Sequence, residues 1–150
     1  CCDWYSQPVF LHLFTDRDVA ELKKLIALYP HITFVLCHLG ADACYAPGRS
    51  EGNFDELLSL VRGHANVFLD TSTVPVYFQE EYPFPSSVRQ IEQAYRTVGP
   101  EKLMWASDYP GMLCHATMRQ LIDLVLTQCR IPQAHLEMIM GGNAKRLFFS

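Results

Sequence analysis

The sequence is poor in the features that assign function quickly. No apolar run approaches the roughly 20 residues of a membrane-spanning helix, and the N-terminal stretch Cys-Cys-Asp-Trp-Tyr-Ser-Gln lacks the charged and apolar regions of a signal peptide. None of the six cysteines forms a C-x-x-C pair, so redox motifs and cysteine-based zinc ribbons have no footing. Lysine and arginine occur singly or in pairs, and 12 of them against 16 acidic residues leave a net charge of -4. That pattern argues against nucleic acid or an anionic membrane as partner. No Gly-rich phosphate loop follows a strand signal, because the stretch from His38 to Gly48 lacks G-x-G-x-x-G spacing and is too long for a tight nucleotide turn. The expectation is a cytoplasmic protein acting on a small molecule.

What the sequence has is a core and an alternation. With 150 residues, 49% of them hydrophobic, residues 1–150 suffice for a single domain. Apolar β-type runs at 8–13, 32–40, 66–72 and 103–107 alternate with helical patterns. The first helix carries Val19, Leu22, Leu25, Ile26 and Tyr29 on one face, with Thr15 and Asp18 in capping-box spacing. The second starts at Asn53 as cap, turns Leu57 and Leu60 inward and ends at Gly63. A Pro- and aromatic-rich loop (75–85) leads to a third, with Val88, Ile91, Tyr95 and Val98 on one face. A fourth holds Met118, Leu121, Ile122, Val125 and Cys129, and a shorter one runs from Pro132 to Gly141-Gly142. A last turn is capped by Asn143. Strands apolar throughout and alternating with helices imply an α/β fold with a parallel sheet. Cys37 and Cys129, inside apolar segments, read as buried small hydrophobes.

The C-terminal ends of the four strand runs carry His12, His38, Asp70 and Asp108. Parallel α/β proteins, barrels above all, assemble active sites at those ends. A lone strand histidine is ordinarily a hydrogen-bonded core residue, and Asp before Tyr-Pro is ordinarily a turn residue. Consecutive units that all place imidazole or carboxylate there are not explained by turn chemistry. His12, His38 and Asp108 suit a first-row divalent ion, whose catalytic sites usually take three protein ligands and a water. Asp70-Thr71-Ser72 either lines the pocket or hydrogen-bonds its own turn, and the second is the more ordinary role. His31, His64 and His135 fall off this rim and read as structural or solvent-facing, while His115 lies on it within reach of a substrate. The loops at 40–52 and 75–85, the latter with Tyr77, Phe78, Tyr82 and Phe84, are expected to shape the pocket.

The segments Pro-Val-Phe-Leu-His (8–12), His-Leu-Gly (38–40), Asn-Val-Phe-Leu-Asp-Thr-Ser (66–72), Ala-Ser-Asp-Tyr-Pro-Gly (106–111) and Gly-Gly-Asn-Ala-Lys-Arg-Leu-Phe (141–148) resemble, in that order, the C-terminal half of the amidohydrolase-related family. This branch also contains non-oxidative decarboxylases such as aminocarboxymuconate semialdehyde decarboxylase. The resemblance implies a TIM-type (β/α)8 barrel of which these are strands five to eight. It implies that His12 binds metal, that His38 binds a second metal or acts as acid-base catalyst, and that Asp108 binds metal and handles a proton. The family's first-strand His-x-His pair is absent, as no strand precedes residue 8, and Leu13-Phe14 replace the usual small residue after the fifth-strand histidine.

A barrel takes about 250 residues, so four βα units amount to half of one, with two strand edges and one sheet face left open. The expected partners are therefore the missing N-terminal half-barrel and, in addition, a second copy of the chain. On its own the chain is expected to be inactive. The leading expectation for the whole is a metal-dependent hydrolase using a metal-activated water, with Zn2+ or alternatively Mn2+. A carboxy-lyase on the same residues is the second, and an inactive half-barrel or interaction module the third.

Overall fold

The computed structural model describes residues 7–14, 16–41 and 52–149. Strands β1 (Val9–Leu11), β2 (Phe34–Leu36), β3 (Val67–Asp70) and β4 (Leu103–Met104) form one sheet. All its pairs are parallel, with Val9 opposite Phe34, Phe34 opposite Val67 and Leu69 opposite Leu103. The order in the sheet is the order in the chain, β1-β2-β3-β4. A doubly wound nucleotide-binding sheet reverses direction at a switch point, whereas an unreversed run of parallel strands is how a barrel wall is built.

The strands are shorter than the apolar runs that announced them. After β2 the chain leaves the sheet because His38, Leu39 and Gly40 adopt φ of 59°, 57° and 67°, a left-handed turn that apolar periodicity cannot register. Helices α1 (Asp16–Leu28), α2 (Gly52–Gly63), α3 (Val74–Phe78) and α4 (Pro85–Val98) follow the first three strands. After β4 come α5 (Met118–Asp123), which widens into a π turn over Leu124–Gln128, then α6 (Gln133–Glu137) and α7 (Asn143–Phe148).

Alternation along the strands separates two cores. Phe34, Leu36, Val67, Leu69 and Leu103 face the helices and pack with Leu22, Ile26, Leu57, Val61 and Ile91. Burying each such side chain contributes about 1.5–3 kcal/mol. On the opposite face Val35, Phe68 and Met104 form a small second core closed by Ala144, Leu147 and Phe148 of α7. The face expected to lie open is thus partly covered. At the β1 edge Phe10 emerges, stacking on Phe148 at 5.6 Å and staying 53% exposed.

Two polar side chains fasten this base. Lys102 donates to the carbonyls of His64 (2.7 Å), Ala65 (2.7 Å) and Val67 (3.0 Å), and its ammonium lies 4.7 Å from the Phe68 ring centre. Burial lowers its pKa. Asn143, buried at the first residue of α7, donates to the carbonyls of Pro100 and Leu103, both at 2.7 Å. Its expected capping role is corrected: the side chain reaches across to β4 instead of closing its own helix.

Other expectations need correction too. Leu25 and Tyr29 are exposed, because Val19, Leu22 and Ile26 form the inward stripe of α1. Helix α2 begins at Gly52, one residue ahead of Asn53. The stretch 75–85 is not all loop: Val74–Phe78 is helical, with Pro75 in the first turn, where a missing N–H costs nothing. Phe84, expected to shape a pocket, is core. At the start of α1, Asp18 accepts the Phe14 backbone N–H at 3.0 Å, while Thr15 lies outside the described residues. So do most of the 40–52 loop and Cys1, Cys2 and Cys44. Cys37 and Cys129 are buried, as expected, and neither is in a disulfide; burial pushes the Cys129 thiol up to about 12. Among the described residues no helix is long and apolar enough to cross a membrane.

Candidate active site at the strand ends

The loops leaving β2, β3 and β4 share a backbone feature. His38, Thr73 and Asp108 have φ of 59°, 62° and 50°, in the left-handed region that costs a residue with a Cβ about 1–2 kcal/mol. Such conformations persist where surrounding contacts over-determine them, and they cluster at functional sites. Here those contacts join the three loops to one another.

His12 follows β1 directly and is exposed. Because Leu11 pairs with Leu36, the residues beyond them emerge on neighbouring parts of one rim. The His12 and His38 rings meet edge to face, 4.7 Å between centres and 61° between planes. His38 is 7% exposed. Its backbone N–H donates to Asp70 Oδ1 at 2.9 Å, and its Nδ1 lies 2.8 Å from Ser72 Oγ. Asp70 Oδ1 also accepts the Ser72 N–H at 3.0 Å and the Ser72 hydroxyl. Asp70 thus does bond its own turn, as expected, but the same oxygen holds the His38 backbone.

Asp108, beyond β4, is exposed, and its Oδ2 accepts the Thr73 hydroxyl at 2.6 Å. Its side chain is therefore tied across to the β3 loop. The segment 70–73 is the hub: Asp70 and Ser72 hold His38, and Thr73 holds Asp108. Sequence reasoning gave Ser72 only a local part and missed Thr73, although three hydroxyls in a row after a strand (Thr71, Ser72, Thr73) are visible in the sequence.

Among the described residues no three His, Cys, Asp or Glu side chains converge on a metal position. Of the trio His12, His38 and Asp108, the structure brings the two imidazoles into contact and holds Asp108 toward Thr73. The donor chemistry fits a borderline divalent ion: adjacent imidazoles, one with its Nδ1 already engaged, and a carboxylate carried by a neighbouring loop. The remaining histidines are structural or peripheral. His64 Nδ1 meets the Leu60 carbonyl at 2.7 Å, His135 Nδ1 meets the Tyr95 hydroxyl at 2.7 Å, His31 packs edge-on against Tyr29, and His115 is exposed after the turn Gly111–Cys114.

Gly40 completes the left-handed run that carries His38. A Cβ there would lie 2.2 Å from Leu57 Cδ2 at φ +67°. Gly40→Ala is expected to cost about 2–4 kcal/mol, combining the left-handed penalty with overpacking. Thermal denaturation of wild type and variant checks this, and an unchanged Tm would contradict it.

The sequence model of the family described as amidohydrolase matches residues 2–149. The chain belongs to the amidohydrolase family. Its fold is similar to amidohydrolase 2 from Bifidobacterium longum subsp. infantis (TM-score 0.66, 21% identity, 93% of this chain and 48% of that one). It is also similar to an amidohydrolase from Burkholderia multivorans crystallised with bound zinc (TM-score 0.66, 25% identity, 89% and 49%). A third solved relative is 5-carboxyvanillate decarboxylase from Sphingomonas paucimobilis (TM-score 0.56, 25% identity, 83% and 36%). No curated protein sequence matches the chain. This amidohydrolase chain spans about half the length of the first two solved relatives.

Proposed function

We propose that the protein containing this chain is a metal-dependent hydrolase of a small organic substrate, and that β1 to β4 are strands five to eight of its barrel. The observation that carries the reading is the His12–His38 contact at 4.7 Å between adjacent strand ends, with Asp108 tied by Thr73 to the loop that also holds His38. His12 would hold a divalent ion, zinc in the first place or manganese, with His38 or Asp108 beside it. Such an ion supplies polarisation of a water or of a substrate oxygen when bound.

Each residue then has a task that its surroundings fit. The Thr73 hydroxyl occupies one carboxylate oxygen of Asp108, and the other would take a proton from the attacking water. His38, held at its backbone and at Nδ1, presents Nε2 to steady the leaving group, or to protonate it after Nε2 has itself taken up a proton. The remaining half-barrel is the partner that would complete the ligand set from its first strand, and association of two copies would cover the Phe10 edge.

Decarboxylation is the second reading, favoured by the similarity to 5-carboxyvanillate decarboxylase. Here a protonated His38 or Asp108 would deliver a proton to the carbon that loses carbon dioxide. The test is to assay the intact protein against panels of lactones, esters and amides and of aromatic and unsaturated carboxylic acids. Hydrolysis with no carbon dioxide is the expected result. Carbon dioxide release without oxygen or nicotinamide would replace the first reading by the second, and no turnover on either panel would return the inactive half-barrel.

A further inference from the structure

Resting on the reading of His38 as the reactive imidazole, we propose that Ser72 is a positioning residue that fixes the His38 tautomer, placing the proton on Nδ1 and the lone pair on Nε2.

The polarity is forced one bond at a time. Backbone N–H groups only donate. Asp70 Oδ1 receives two of them, from His38 at 2.9 Å and from Ser72 at 3.0 Å, so that oxygen is an acceptor. The Ser72 hydroxyl against the same oxygen must therefore be the donor. A hydroxyl has one proton, so Ser72 Oγ has only lone pairs left for the imidazole nitrogen 2.8 Å away. His38 Nδ1 must supply the proton of that contact. The fixed polarity of the peptide backbone is thereby transmitted through a carboxylate and a hydroxyl to the ring, and the nitrogen that meets metal, proton or substrate is Nε2. Burial strengthens the constraint: Asp70 is 5% and Ser72 4% exposed, so water has little access to take over either role.

The consequence is chemical. With the lone pair confined to Nε2, His38 can ligate or accept a proton only on the side facing His12 and the rim. Without Ser72 the ring is free to take the other tautomer, with the lone pair turned to the loop.

The test is nitrogen-15 NMR of the intact protein with labelled histidine, before and after chelator treatment, with the His38 signals assigned by their loss in His38→Gln. The expected wild-type spectrum has a protonated-type Nδ1 and a lone-pair-type Nε2. Ser72→Ala is expected to abolish this pattern and lower kcat by about 10- to 100-fold, and Ser72→Thr, which keeps the hydroxyl, to restore the pattern. A wild-type His38 protonated at Nε2, or an unchanged pattern in Ser72→Ala, overturns the proposal. Should Ser72→Ala not fold, the wild-type spectrum and Ser72→Thr still decide it. The two readings fail separately. The predicted tautomer without turnover sinks the functional reading alone, and turnover with the opposite tautomer sinks this one alone.

Discussion

Asp108→Ala in the intact protein is expected to lower kcat by about 10²- to 10⁴-fold, the range lost when a positioned acid-base group is removed. The carboxylate is exposed on the rim, so it contributes little to the core, and thermal stability should stay close to wild type. Asp108→Asn sharpens the point. Asparagine retains an oxygen to accept the Thr73 hydroxyl, now at 2.6 Å, but cannot take a proton. If Asp108 moves a proton, the asparagine variant loses nearly as much activity as the alanine variant. If Asp108 serves only to anchor the loop, the asparagine variant keeps most of it. Steady-state kinetics of both variants, with circular dichroism as the folding control, distinguish these outcomes, and an undiminished rate in Asp108→Ala would remove the residue from the site.

A large stability effect is also expected of Lys102→Met. Lys102 satisfies three carbonyls at the base of β3 and lies over Phe68 in the second core. Methionine keeps most of the aliphatic volume but leaves those acceptors without their donor. Water can reach the Ala65 carbonyl, where the contact is exposed, while those of His64 and Val67 are partly buried. At about 1–3 kcal/mol for a buried acceptor left unmade, the variant should lose about 2–4 kcal/mol, a fall in Tm of about 4–16 °C at 2–4 °C per kcal/mol. Lys145→Met, on the exposed face of α7, is the control and should shift stability by no more than about 0.5 kcal/mol. Equal behaviour of the two variants would mean that the Lys102 contacts do not hold the sheet base together.

The parts of the fold legible in sequence were those written in hydrophobic period. The four strand signals and the alternating helices are all present, and the ionisable residues His12, His38, Asp70 and Asp108 stand out at the strand ends in the sequence itself. What the period could not carry was backbone conformation. Cys37 and Leu39 are apolar and buried, so they prolong the β2 signal, yet the strand has ended at Leu36 and Leu39 lies in a left-handed turn. Nothing in a non-glycine residue announces φ near +60°. The proline and aromatic content of 75–85 suggests a loop, yet Pro75 sits in a first helical turn, which tolerates it. The hub at 70–73 stayed hidden for a different reason: its partners are 34 and 35 residues away in the chain, and no local pattern encodes such a pairing. Asn143 was misread likewise, since a cap is a local role and its actual partners are 40 and 43 residues distant.

The strand-end imidazoles as a metal-bearing active site are the centre of this account, and anomalous diffraction at the zinc edge from crystals of the intact protein tests it most directly. A peak about 2.0–2.1 Å from a His12 ring nitrogen, with His38 and Asp108 around the same pocket, is the predicted result. In zinc-loaded crystals, a peak only at some other site, or none beside His12, would contradict it.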